Sequence, residues 1–447
     1  MTIRHRAREI SLLILSSLLI VVIYIPACNS NGTLNPSPTP EATATPDKPK
    51  VEELKWHLWT DDVKLRGANI HQRHVYPELD GLEFIGPGPL GAPFTQEDFN
   101  LLSDLGANYV NISHPGLYTE NPPYIIDQDV QNNLDSLLVM IEKADMFAVI
   151  SFRTGPGRSE FTFQRENVGD WFDESYFNEE VWLDWHIQEA WVDMWRYTAE
   201  RYRNNPVVVG YDLMVEPNSN DSILNIYDPD EFYEYNKNSL YDWNQLSRRI
   251  ANSIREVDSW TPILVSGLGY GAVEWLPFVE PLEHDRVVYT VHQYAPMTYT
   301  HQQKDSLDLE YPGIWDINGD GTNDKFNKAW LEGQISIIDS FKETYAVPVA
   351  INEFGIMRWE PGAVYFLNDE MYLFEQHALN YALWAWEPSW NPYTEKVDAF
   401  NYRHGTNPDN NINVFPNDLM TVITGYWERN EIRPSNIQDL RTSASES

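Results

Sequence analysis

Eight short apolar, β-branched runs recur along the chain with amphipathic helical stretches between them, and this alternation limits the fold more than any other feature. The runs lie at about 64–70 (KLRGANI), 108–113 (NYVNIS), 146–153 (MFAVISFR) and 206–215 (PVVVGYDLMV). Four more follow at 262–267 (PILVSG), 286–294 (RVVYTVHQY), 347–354 (VPVAINEF) and 380–387 (NYALWAWE). Helical periodicity fills gaps at 95–105, 128–145, about 180–204, 231–256, 328–345 and 368–378. Apolar strands alternating with helices call for a parallel sheet covered on both faces. Eight such units predict an α/β fold, a (β/α)8 TIM barrel, for which about 250 residues are typical and insertions carry the rest. The excess falls largely after the third, fourth and sixth runs, so long loops are expected at the C-terminal face. An open doubly wound sheet is the competitor, but LRGANIHQ after the first run lacks the Gly-rich dinucleotide turn.

In a barrel, chemistry belongs at the C-terminal ends of the strands. The polar residues there are His71, Asn111, His114, Arg153, Glu216, His292, Tyr294 and Glu353, with Trp384, Trp386 and Glu387 on the eighth run. Glu216 closes YDLMVEPN and Glu353 closes VPVAINEFG, at corresponding positions; the spacing 353 − 216 = 137 fits three units of about 45 residues. Two carboxylates facing across a cleft suit glycosidic bond cleavage, in which one protonates the leaving oxygen and the other attacks or activates water. The plainer alternative pairs each glutamate with a basic side chain at the rim. Aromatic residues make up 13% of the chain, with 17 Trp. Flat rings beside acidic acceptors suit sugars, although most of these Trp, including Trp182, Trp185, Trp191 and Trp195, are expected to pack within the fold.

The segments RYRNNPVVVGYDLMVEPN, VHQY, VPVAINEFG and LWAWEPSW, together with LRGANI, resemble glycoside hydrolase family 5 from about residue 64 to 390. The resemblance implies a retaining (β/α)8 enzyme without an organic cofactor, acting on a β-linked glucan or related hexose polymer. It implies Glu216 as acid/base and Glu353 as nucleophile, with His292 and Tyr294 as the family's His-x-Tyr. Trp386, or Trp384 two residues earlier, would floor the subsite of the attacked sugar. Three positions depart from the family pattern. Val215 stands where an Asn is usual, Asn111 where an Arg is usual, and Arg153 where a His is usual. Asn111 and Arg153 are counted among the substrate-contacting residues, and Arg153 is expected to serve as the cation near Glu353. A catalytically weakened glycan-binding lipoprotein and a transglycosylase using the same residues are the rival functions.

Outside the runs, WDINGDGTNDKFN places Asp316, Asn318, Asp320, Thr322 and Asp324 at alternate positions, with Gly321 at the turn. This matches the first nine positions of an EF-hand loop, a candidate for structural Ca2+, but Asn327 stands where the twelfth-position Glu belongs. A metal-free Asx-turn loop is the alternative.

The N-terminus carries Arg4, Arg6 and Arg8 before an apolar run from Ile10 to about Ile25, which is the order of an export signal. Ile25-Pro26-Ala27-Cys28 resembles a bacterial lipobox that would lipidate Cys28; an uncleaved anchor or a conventional signal peptide are the other readings. The expected division is 1–27 signal, 28–55 Pro/Thr/Ser-rich tether and 56–447 catalytic domain, exported to the cell surface or periplasm as a monomer. A single Cys excludes an intramolecular disulfide. A net charge of −36 disfavours nucleic acid, and leaves the lipid bilayer as partner only through the anchor.

Overall fold

The computed structural model describes residues 51–436 except 61, 82, 170, 171, 396 and 397. Cys28 with its export segment, and most of the expected tether, fall outside these residues. Among the described residues, no helix is long and apolar enough to cross a membrane.

Eight parallel strands close into a barrel. They are β1 (Arg66–His71), β2 (Tyr109–Pro115), β3 (Phe147–Thr154), β4 (Val208–Asp212), β5 (Ile263–Ser266), β6 (Val287–Gln293), β7 (Val349–Phe354) and β8 (Tyr381–Leu383). Each pairs with its sequence neighbours, and β1 closes the ring by pairing with both β2 and β8. The helices are α1 (Val51–Thr60), α2 (Gln96–Asp104), α3 (Gln128–Lys143), α4 (Trp185–Tyr202), α5 (Trp243–Val257), α6 (Lys328–Tyr345), α7 (Ala363–Gln376) and α8 (Asp418–Trp427). Polar caps set the starts of six of them. Thr95 and Asp98 form a reciprocal capping box on α2, and Asp127, Asp184, Asp242, Asn327 and Asn417 accept from first-turn amides of later helices. The fifth unit has a short 3-10 turn, Val273–Phe278, containing Pro277.

All eight expected strands are present, and 328–345 matches α6 end to end. Other boundaries move for local reasons. The stretch 231–256 divides into Pro229–Asn236 and α5, because Asn238 turns the chain at φ 65° and Asp242 caps a new helix. The stretch at 180–204 begins as a 3-10 turn, Glu180–Trp182, before Asp184 caps α4. The fourth and eighth strands stop short of 215 and 387, at Asp212 and Leu383, because the chain leaves the ladder to build the mouth. Helix α1 takes in part of the stretch read as tether, and α8 completes the eighth unit after a long loop.

The barrel interior is layered. At the N-terminal end, Leu58 and Trp59 of α1 join Leu65, Tyr109, Phe147, Val149, Val209, Leu264, Val288, Ala350 and Ala382 in one buried apolar cluster. Above it lies a buried polar layer containing Asn69, Asn111, Ser151, Asp212 and Asn352. Polar groups in that position are costly unless bonded to one another, and here the bonds tie strands from opposite sides of the ring.

Candidate active site

The mouth is built on that polar layer. Strand β7 carries a register irregularity between Ile351 and Glu353, the kind of bulge that re-aims side chains beside active sites. Asn352 Nδ2 donates across the barrel to Asp212 Oδ2 (2.8 Å). The Asn352 carbonyl accepts from Asn69 Nδ2 (3.0 Å) and Asn111 Nδ2 (3.2 Å). Asn111 also donates to Asn69 Oδ1 (2.8 Å), and its own Oδ1 accepts from Ser151 Oγ (2.5 Å). Three strands thus brace the residue before Glu353. Burial raises the Asp212 carboxyl to about 7, against the opposing pull of His292.

Glu353 accepts from the Tyr294 hydroxyl at 2.8 Å, and His292 Nδ1 lies 3.6 Å from the same oxygen. His292 Nδ1 is 3.0 Å from Glu216 Oε1. One ligand atom from each of Glu216, His292 and Glu353 falls within 4.8 Å of the others, so the carboxylates face one another with the imidazole between them. Burial pulls His292 down, but the two carboxylates outweigh it and raise it to about 9. An imidazolium is therefore the cation shared by the pair. Burial pushes both glutamates up; for Glu216 the bond and charge of His292 together with the charges of Arg153 and Arg158 outweigh it, so Glu216 falls, while Glu353 stays raised. Glu216 has the more open side chain, 14% exposed against 5% for Glu353.

Arg153 does reach the mouth, and its charge acts on both Glu216 and Glu353. Its hydrogen bond, however, goes to Glu160 Oε1 (3.1 Å) rather than to Glu353, and its guanidinium stacks 3.5 Å over Phe163. Arg153 is thus a cation acting on Glu353 as expected, but His292, 3.6 Å away, makes the closer approach. Trp384 is partly exposed, 5.7 Å from the His71 ring and 5.8 Å from the Arg153 guanidinium. Trp386 is a correction. It is 3% exposed, its Nε1 donates to Asp98 O (3.0 Å), and Arg403 covers its ring at 4.4 Å. Asn111 is another correction, because its amide is spent inside the barrel. His114 also turns away: it bonds Asn133 on α3 (3.0 Å), and burial lowers it to about 4. Glu387 stays at the rim, where burial raises it to about 7 against Arg403.

The 316–324 loop forms the tip of a hairpin between Gly313–Trp315 and Asp324–Phe326. Asp316 accepts from Asp320 N (3.1 Å) and Gly321 N (2.8 Å); Asp320 accepts from Thr322 N (2.7 Å) and the Thr322 hydroxyl; Asn318 bonds Asp324 (3.3 Å). Its carboxylates form Asx-type turns and, unlike the mouth trio, are not among the described groups whose ligand atoms converge. Asn327, at the twelfth position, is the N-cap of α6.

Sequence reasoning missed Arg158, Glu160, Asp212 and Asn352. The last two carried a signal, a polar residue inside an otherwise apolar strand run; the first two lie in a loop where no periodicity marks them.

Comparisons with known proteins place the chain in a family. The family model Cellulase (glycosyl hydrolase family 5) matches residues 62–389. The chain belongs to glycosyl hydrolase family 5. It is an O-glycosyl hydrolase. Similar proteins include Endoglucanase C of Acetivibrio thermocellus, 21% identical over 318 residues, covering 66% of this chain and 84% of the relative. Cellodextrinase A of Ruminococcus flavefaciens is 22% identical over 262 residues, covering 59% and 68%. Among solved structures, the endoglucanase Cel5A from Thermotoga maritima matches with TM-score 0.55 and 17% identity, covering 83% of this chain and 99% of that one. A structure titled as a glycoside hydrolase reaches TM-score 0.58 at 21% identity, covering 81% and 99%. At these identities the structural matches establish the barrel fold.

Proposed function

We propose that this family 5 enzyme is a retaining β-glycanase acting on β-linked glucans, with Glu353 as nucleophile and Glu216 as acid/base. The observation that carries this reading is the close approach of the two carboxylates, with an oxygen of each within 4.8 Å of an oxygen of the other. Retaining enzymes hold them about 5–5.5 Å apart, whereas inverting enzymes leave about 6.5–9.5 Å for a water. In the first step a Glu353 oxygen bonds to the anomeric carbon, the glycosidic C–O bond breaks, and the Glu216 proton passes to the leaving oxygen. In the second, Glu216 takes a proton from water, the water oxygen bonds to the anomeric carbon, and the ester to Glu353 breaks. The Tyr294 hydroxyl bond holds the attacking carboxylate in place.

Glu216 must carry the proton when substrate is bound, although His292 holds it low in the free enzyme. A sugar entering the mouth supplies the change. It covers the more open carboxyl and sets a leaving oxygen beside it, and both effects favour the protonated form. Trp384 is the aromatic floor of the attacked sugar's subsite. Val215 is buried and apolar, so the 2-hydroxyl contact that the family's Asn would supply is missing here. The substrate preference follows the names of the endoglucanase relatives.

An activated fluoro-sugar glycoside tests the assignment. Peptide mapping should find the label on Glu353 and none after Glu353→Gln. A label elsewhere, or product of inverted configuration, sinks the retaining reading and leaves the glycan-binding or inverting alternatives.

Delivery is part of the same proposal: Cys28 is the lipid attachment point of an exported lipoprotein. Cys28→Ser should move the protein from the membrane to the soluble fraction; unchanged partition would count against it. Calcium at 316–324 plays no part in the mechanism.

A further inference from the structure

Arg158 lies on the long loop between β3 and α4 and is 0% exposed. Its guanidinium spends its N–H groups chiefly on backbone. Nη1 donates to the carbonyls of Arg153 (3.0 Å) and Val215 (2.8 Å), and Nη2 donates to the carbonyl of Glu216 (2.7 Å) and to Asn218 Oδ1 (3.3 Å). The Val215 and Glu216 carbonyls flank the α carbon of Glu216. That residue has φ 55°, in the left-handed region. A residue with a side chain is strained there and persists only where the surroundings over-determine the backbone. Here the determining group is a planar fork that reaches four acceptors at once, a geometry a lysine ammonium cannot reproduce. Asn218, the fourth acceptor, is itself fixed by its amide bond to Thr162 Oγ1 (2.9 Å), and Phe163 lies 4.9 Å beneath the guanidinium.

We propose that Arg158 is the positioning residue of Glu216: by binding the carbonyls on both sides of its α carbon, it aims the acid/base carboxyl at the leaving oxygen. The proposal rests on the reading of Glu216 as acid/base. It makes proton delivery depend on an insertion loop, not on the barrel strands alone. Arg158 makes no contact with substrate in this role. Its charge is one of several facing Glu216, with His292 from β6, Glu353 from β7, Arg153 from β3, and Tyr270, Tyr294 and His301 from neighbouring loops.

The test is kcat/KM on aryl β-glycosides of graded leaving-group acidity, for the full chain and for Glu216→Ala, Arg158→Met and Arg158→Lys. A dinitrophenolate departs without a proton, whereas a phenolate needs one. Glu216→Ala should lose far more activity on the phenyl substrate; if it does not, the acid/base reading itself fails. Given that benchmark, Arg158→Met should lose at least about 10-fold on the phenyl substrate and only a few-fold on the dinitrophenyl one, a fraction of the range general acid catalysis spans. Arg158→Lys keeps the charge and should show the same leaving-group dependence. Equal losses on both substrates, no loss, or a Lys variant matching the parent would each overturn the positioning role. If Arg158→Met fails to fold, judged by circular dichroism and fluoro-sugar labelling of Glu353, the Lys variant carries the test. Failure of both to fold would make Arg158 purely structural and overturn the proposal.

Discussion

Glu160 is a carboxylate that sequence reasoning passed over, yet it holds the charge pattern behind the mouth together. Burial pushes its carboxyl up, but Arg153, His71 and Arg73 more than compensate and bring it to about 2, from an ordinary 4.5. Its Oε1 is 3.1 Å from Arg153 Nε and 3.4 Å from His71 Nε2. A depressed folded-state value means that the unfolded chain binds the proton more readily. The stabilisation is therefore complete above about pH 4.5 and is lost as the pH falls through about 2. Glu160→Gln should cost about 3 kcal/mol near neutral pH by leaving a buried cation short of its partner. The gap from the parent should close in acid; denaturant unfolding at a series of pH values measures it, and a pH-independent gap would contradict the assignment. Legibility at this scale followed periodicity. Glu216, His292, Tyr294 and Glu353 end or follow apolar runs, so their places could be read directly. Trp384 and Trp386 could not be told apart, because the strand ends at Leu383 and strict alternation no longer dictates which ring faces the cleft. Glu160 and Arg158 come from loop backbone, where the fold and not the local pattern decides what meets what.

At the scale of elements, the strands were legible because each is a near-continuous apolar run, while the irregular backbone that makes the site was not. The bulge in β7 and the departure of β4 from its ladder after Asp212 leave no mark in hydrophobic pattern. Asn111 illustrates the consequence: a strand-end polar residue looked ready for substrate, but the bulged Asn352 carbonyl takes its amide. The hairpin carrying Asp316, Asn318, Asp320, Thr322 and Asp324 is a second case, since ligand-like spacing also fits a turn closed by its own Asx bonds. Its strands anchor through buried Phe326, which packs against Tyr299 (5.0 Å), Tyr311 (4.9 Å) and Trp330 (5.3 Å). That anchor and the internal bonds are expected to hold the tip in shape without an ion. Chelation by EDTA should leave the thermal midpoint unchanged within about 1 °C. A calcium ion bound at 100 times its dissociation constant would contribute about 2.7 kcal/mol, worth several degrees. A calcium-restorable drop of that size would establish the loop as a metal site.

Across the whole molecule, the barrel assigns stability and chemistry to opposite ends. The C-terminal end holds the paired glutamates, the imidazolium and the loops that shape the cleft, on a polar layer whose bonds cross the ring. The N-terminal end is closed by α1, which the sequence reading left partly in the tether because ten residues of mixed polarity gave a weak pattern. Trp59 enters the apolar cluster there and donates its indole N–H to Val209 O (2.9 Å), while Asn380 Nδ2 binds the Leu58 carbonyl (2.8 Å). Truncating such a residue removes its apolar burial, opens a cavity and leaves a carbonyl without its donor. Trp59→Ala should therefore cost about 3–5 kcal/mol and lower the thermal midpoint by about 4–6 °C. Well below that midpoint, kcat and KM should stay at parental values, because the polar layer separates the plug from the mouth. A coupled fall in kcat at low temperature would mean that the plug also sets the geometry of β4 and β7, and that the two ends of the barrel are not independent.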